Sequence, residues 1–141
     1  MKKIDDTIPS MKLIPTTIVV TVIGAVLELS GVWLTMVIAG GLAGLFLRDH
    51  RRAFAAGLFG IAIAWSALFA YLVVTADALR VGSLFASLLG LSGLGWLPIM
   101  ISVMLGALLG GFGALLVRSL VELIDGLSVA YPGHQAQPPS G

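Results

Sequence analysis

The chain contains no cysteine and no asparagine, so neither disulfides nor thiol chemistry is available to it. Charge is also scarce. Asp, Glu, Lys and Arg make up 11% of the 141 residues, whereas a soluble domain carries roughly a quarter. A water-soluble fold with a charged surface is therefore excluded. The hydrophobic content of 58% instead predicts an all-α integral membrane protein.

Long uncharged runs divide the chain into four predicted transmembrane helices. Residues 13–47 hold one charge, Glu28, and as a single helix they would extend about 52 Å, well beyond a hydrocarbon core of about 30 Å. A hairpin that turns at residues 28–31 solves this length problem, and the same reasoning divides residues 79–117. The predicted spans are 11–27, 31–47, 53–75 and 97–117, which form two hairpins in tandem.

Residues 79–91, between the third and fourth spans, form an amphipathic pattern. Their large apolar residues fall on one face of a helix, and Arg80 and the serines fall on the other. This pattern predicts a helix that lies in the membrane interface, and a helix buried against the bundle is the alternative. Residues 1–126 are predicted to form a single membrane domain. Residues 127–141, polar and rich in proline and glycine, are predicted to be a flexible tail.

The two halves of the chain resemble each other. Residues 27–34 are echoed by residues 89–97, and each echo is followed by a glycine pair, Gly40-Gly41 or Gly110-Gly111. An arginine follows each pair eight residues later. Both copies have the same predicted direction, which indicates a parallel repeat and not an inverted one. Chance similarity in a chain rich in Leu, Gly and Ala is the alternative.

The basic residues predict the orientation in the membrane. Only Arg80 falls on one side of the predicted spans. The other seven fall on the opposite side: Lys2, Lys3, Lys12, Arg48, Arg51, Arg52 and Arg118. The positive-inside rule therefore predicts a multi-pass protein of the cell membrane with both termini in the cytoplasm.

Small residues recur at intervals of four within the predicted spans. Such stripes let helix backbones approach closely in a membrane, where no hydrophobic driving force pairs the helices. They predict contact faces, either within one copy of the chain or between copies. The glycines of these predicted faces are Gly40, Gly44, Gly57, Gly60, Gly106 and Gly110.

Two groups of charged residues are candidate sites. Glu28 is the one ionisable residue close to the interior of a predicted span, so it is a possible proton or cation site, although its position near the turn favours the outer boundary. The alternative is a solvated residue at the outer boundary, paired with Arg80. Arg48, Arg51 and Arg52 form a basic cluster that suits anionic lipid head groups or a cytoplasmic partner. The alternative for this cluster is a simple topology anchor.

The sequence shows no Cys/His cluster, no phosphate-binding glycine loop and no nucleophile–base pair. It therefore predicts a non-catalytic protein without a cofactor and without a nucleic-acid partner. We expect an accessory or structural subunit of a larger membrane complex, whose partners are membrane lipids and either other membrane subunits or copies of itself. The alternatives are a homo-oligomeric pore or small transporter that uses Glu28, and a subunit of a membrane-derived polymer.

Overall fold

The computed structural model describes residues 4–32 and 34–130, with side chains described up to residue 127. Regular structure in this part of the chain is entirely helical, as the composition predicted. The helices are α1 (Ile4–Thr7), α2 (Leu13–Glu28), α3 (Leu34–Phe46), α4 (His50–Thr75), α5 (Ala78–Leu88) and α6 (Trp96–Ala130).

The four longest helices, α2, α3, α4 and α6, pack side by side in alternating directions. Helix α6 contacts both α3 and α4, and α2 contacts the same two helices from the other side. Tight turns join the elements, and Gly31, Gly90 and Gly93 provide the positive φ angles that these turns require. The bundle therefore has one end near residues 47–50 and 118, called here the Arg118 end, and an opposite end near Thr75 and Trp96.

Two of these helices, α4 and α6, are long and apolar enough to cross a membrane. Helices α2 and α3 are also apolar, but they contain only 16 and 13 residues, which correspond to lengths of about 24 Å and 20 Å. Both are shorter than a hydrocarbon core of about 30 Å. Of the four predicted spans, two thus have the length that a complete crossing requires.

The turn between α2 and α3 lies well short of the end of the bundle. Glu28 lines the same cavity as Trp65 and Leu68 of α4, and the indole of Trp65 lies against Gly106 of α6. Helix α4 continues from Trp65 to Thr75, ten residues or about 15 Å further. The α2–α3 turn is therefore not level with the Thr75 end of α4.

Helix α5 packs on the bundle through its small residues. Gly82 and Ala86 are buried, and a side chain at Gly82 would collide with the backbone of Gly95. The large apolar residues of α5 are exposed, including Leu84 at 64% and Leu88 at 83%. Helix α5 thus contacts the bundle through its small residues and leaves its large apolar residues uncovered.

Helix α6 continues beyond the predicted end of the last span. It reaches Ala130, so residues 127–130 are helical, although the sequence suggested that the tail begins at 127. Its 35 residues correspond to about 52 Å, and about three turns of it extend past Arg118. The rest of the predicted tail, residues 131–141, lies outside the described residues.

Candidate functional site

A buried arginine forms the centre of an ion-pair cluster at the Arg118 end. Arg118 is 5% exposed, and its Nη1 and Nη2 donate to Oδ1 and Oδ2 of Asp5 at 2.8 Å and 3.0 Å. Its Nε donates to Glu122 Oε1, one turn further along α6, at 2.9 Å. The planar guanidinium thus meets two carboxylates in the geometry for which its donors are arranged.

Helix α1 is held in this cluster by its backbone as well. The backbone N–H groups of Ile4 and Asp5 donate to the two carboxylate oxygens of Asp125 at 2.8 Å and 3.2 Å. Arg48 Nη2 donates to the backbone carbonyl of Asp5 at 2.7 Å. The segment that precedes α2 is therefore tied to the end of α6 and to the turn between α3 and α4.

The predicted basic cluster divides into residues with different environments. Arg48 takes part in the contact with Asp5, whereas Arg51 and Arg52 are exposed. Arg52 pairs with Asp49 at 3.6 Å on the surface, and the Asp49 side chain caps α4 by accepting from the N–H of Arg51 at 3.0 Å. A lipid or partner contact by Arg51 and Arg52 is sterically open, while Arg48 already has a structural partner.

Three of the predicted contact glycines meet at one crossing of α3, α4 and α6. A methyl group on Gly40 would collide with the backbone of Gly110, and one on Gly57 would lie 2.5 Å from Gly110 O. The backbones touch here, so this contact lies within one chain. The two glycine pairs, Gly40-Gly41 and Gly110-Gly111, thus lie on the neighbouring helices α3 and α6, which run in the same direction.

The other predicted glycines lie at separate contacts. A methyl group on Gly44 would come within 2.8 Å of the backbone nitrogen of Arg118, so this glycine lets α3 approach the ion-pair cluster. Gly60 faces Val20 of α2, where an added methyl group would lie 2.6 Å from Val20 Cγ1. Gly106 supports the indole of Trp65, with 3.4 Å between an added methyl group and the ring.

Glu28 lies in a different part of the molecule from the ion-pair cluster. Both of its carboxylate oxygens are buried and have no hydrogen-bond partner, so the predicted alternative of a pair with Arg80 is wrong. The indole Nε1 of Trp65 is also buried without a partner. The two residues line one cavity of about 250 Å³ at the end of α2.

The sequence did not single out Asp5 or Trp65. Asp5 is 113 residues away from Arg118, and no local pattern connects the two. The available signal was a general one: an arginine just inside a long apolar helix needs a carboxylate partner, and few carboxylates are present. Trp65 packs against Gly106, and its N–H has no acceptor.

The hydrogen bonds and ion pairs of the Arg118 cluster hold α1 against the end of α6. Its carboxylates are engaged by a guanidinium and by backbone N–H groups, and His50 Nε2 lies 3.6 Å from Glu122 Oε2. Within residues 4–32 and 34–130, no three His, Cys, Asp or Glu residues are grouped so that they could hold a metal ion. Comparison of the chain with protein-family models, with curated proteins and with solved structures gives no match.

Proposed function

We propose that this chain is a small non-catalytic membrane protein that serves as an accessory or structural subunit of a larger membrane assembly. The observation that carries the proposal is the contrast between the charged Arg118 end and the apolar outward faces of the long helices. Most charged groups are gathered at the Arg118 end, and several of them pair with one another. The outward faces of the long helices are apolar and uncovered.

Helix α2 illustrates these uncovered faces. Ile14, Ile18, Val22 and Val26, spaced by four residues, are 57–70% exposed. Such a stripe on the outside of a bundle is typical of contact with lipid tails or with another apolar helix, not with water. Helix α6 continues the pattern on its own outer side with Met104 and Phe112, at 66% and 59%.

In the proposed orientation, α4 and α6 cross the membrane with the Arg118 end in the cytoplasm. Lys12, Arg48, Arg51, Arg52 and Arg118 belong to that end of the bundle and Arg80 to the other, which supports this direction by the positive-inside rule. Helices α2 and α3 enter from the cytoplasmic side as a shorter hairpin. From Ala53 to Trp65 is twelve residues, so its turn lies about 18 Å into a core of about 30 Å.

The test is native mass spectrometry of the protein extracted gently from its own membranes. We expect other polypeptides at a fixed stoichiometric ratio to the chain. An unrelated membrane protein with the same affinity tag, extracted in parallel, is the control for carry-over. A homo-oligomer alone would contradict the proposal and favour the pore or transporter alternative. Very large, heterogeneous masses of this chain alone would favour the polymer.

A further inference from the structure

The cavity at the end of α2 contains two polar groups that lack partners. Both oxygens of the Glu28 carboxyl and the N–H of Trp65 are buried without a hydrogen bond. Buried polar groups in native proteins are nearly always satisfied by protein, water or a ligand. The two residues line the same cavity, so a single occupant would lie beside both of them.

The walls of this cavity limit what the occupant can be. The other lining residues are Gly31, Val32, Met36 and Leu68. None of them carries a charge, so the single formal charge of the wall is that of an ionised Glu28. An isolated carboxylate buried in apolar surroundings is costly, and it therefore holds either a proton or a cation.

No protein cation is available to Glu28 in the described part of the chain. Helix α3, which packs against α2, has no charged residue, and α4 has its charges at His50, Arg51 and Arg52, at the opposite end. Tyr71, the other titratable group of α4, is 64% exposed. No ion pair found among the described residues includes Glu28.

The size and chemistry of the cavity favour a small organic cation over a metal ion. Divalent metals such as Ca²⁺ require six or more oxygen ligands, and no group of acidic residues accompanies Glu28. A volume of about 250 Å³ is below the usual range for drug-sized ligands but holds a few non-hydrogen atoms. An aromatic ring beside a carboxylate is a common environment for ammonium groups.

We propose that the cavity bounded by Glu28 and Trp65 binds a small alkylammonium ion in exchange for a proton on the Glu28 carboxyl. One proton leaves the carboxyl for solvent as one cation binds, so the net charge of the cavity does not change. The ionised carboxylate then has the ammonium group as a donor, and the Trp65 ring lines the same cavity. This inference does not depend on whether the chain is a subunit of a larger assembly.

The experiment uses the full chain in lipid nanodiscs, with methylammonium and ethylammonium chloride as probes and sodium chloride at equal ionic strength as the control. Dicyclohexylcarbodiimide, an apolar reagent that reacts with protonated carboxyls, is added, and peptide mass spectrometry measures modification at Glu28. We expect the alkylammonium salts to reduce this modification and sodium chloride to leave it unchanged. In a weakly buffered sample, a pH indicator should report proton release as the alkylammonium ions bind.

Three variants make the test specific. Glu28→Gln should abolish the proton release, while Asp77→Asn, which changes an exposed carboxylate outside the cavity, should retain it. Trp65→Leu removes the aromatic ring beside the carboxylate, and we expect about fivefold weaker binding, as for a lost contact between a cation and an aromatic ring. Modification of Glu28 that no alkylammonium ion reduces, or proton release that persists in Glu28→Gln, would overturn the proposal.

Discussion

Arg118 and Asp5 form a bidentate ion pair between helices that lie at opposite ends of the sequence, with N–O distances of 2.8 Å and 3.0 Å. Arg118 is 5% exposed in this pair and Asp5 is 26% exposed. The pair holds the short helix α1 against α6. Arg48 donates to the backbone carbonyl of Asp5. Arg48 follows the glycine pair Gly40-Gly41 by eight residues, and Arg118 follows Gly110-Gly111 by the same distance. One residue of α1, Asp5, therefore contacts both Arg48 and Arg118.

Removal of the Asp5 charge should destabilise the fold. In Asp5→Asn, the buried guanidinium of Arg118 loses its principal counter-ion and retains only Glu122. We expect a loss of about 2 kcal/mol in the free energy of unfolding. This is below the roughly 3–5 kcal/mol of fully buried pairs, because Asp5 is partly solvated and one carboxylate remains. The matched control is Asp6→Asn, since Asp6 is the exposed neighbour. Equal unfolding curves for the two variants in detergent would show that the ion pair contributes nothing to the free energy of unfolding.

A positive charge at position 118 should not be sufficient to keep the stability of the fold. Arg118 uses Nη1, Nη2 and Nε in three directed hydrogen bonds, whereas the single ammonium of lysine cannot reach both carboxylates in that geometry. We expect Arg118→Lys to lose about 1–3 kcal/mol of stability, measured by the same unfolding titration. Arg52→Lys is the control, because Arg52 is 69% exposed and pairs only on the surface. Wild-type stability in Arg118→Lys would mean that a positive charge alone stabilises the carboxylates of Asp5 and Glu122, without the directed hydrogen bonds of the guanidinium.

The crossing of α3, α4 and α6 should be intolerant of a single methyl group. In Gly40→Ala, the new side chain meets the Gly110 backbone, which cannot move aside as a flexible side chain can. We expect a loss of about 1–3 kcal/mol, or helices that separate locally. Gly126→Ala is the matched control in α6, where nothing lies within 4 Å of the added methyl group, and it should be neutral or slightly stabilising. The prediction fails if thermal unfolding does not distinguish the two variants.

The helices and the small-residue faces were readable from the sequence because both depend on local periodicity. Apolar runs interrupted by Gly31 and by residues 89–95 predict where helices end, and α2, α3, α4 and α6 begin and end close to the predicted boundaries, apart from the C-terminal extension of α6. The spacing of Gly40 and Gly110 predicts close approach, although only the structure shows that the two glycines meet each other.

The Asp5–Arg118 pair and the position of Glu28 could not be predicted from the sequence, because both depend on how helices of unequal length are aligned. The pairing of Asp5 with Arg118 follows from the position of α1 beneath α6, and this is a tertiary relationship without a local signal. The position of Glu28 depends on α3 having only 13 residues, which sets the α2–α3 turn level with Trp65. Judged by length alone, that hairpin looked equivalent to the other one, and Glu28 was therefore expected near the outer boundary.

The short α2–α3 hairpin leads to a prediction about accessibility that separates two complete crossings from four. The chain has no cysteine, so single substitutions provide clean sites for maleimide labelling in oriented vesicles or intact cells. Ser30→Cys lies in the turn, about 15 Å short of the Thr75 end of α4. We expect it not to react with a charged, impermeant maleimide added from either side, and to react once the membrane is dissolved in denaturing detergent, because maleimides react with the thiolate and an apolar environment keeps the thiol protonated. Asp77→Cys, in the turn after α4, should react with the impermeant reagent from outside. Asp6→Cys should react only from the cytoplasmic side.

If Ser30→Cys reacts with the impermeant reagent from outside as fast as Asp77→Cys does, then α2 and α3 reach the outer surface and the chain crosses the membrane four times. That result would also place Glu28 in contact with water, where an ionised carboxylate needs no cation from a buried cavity.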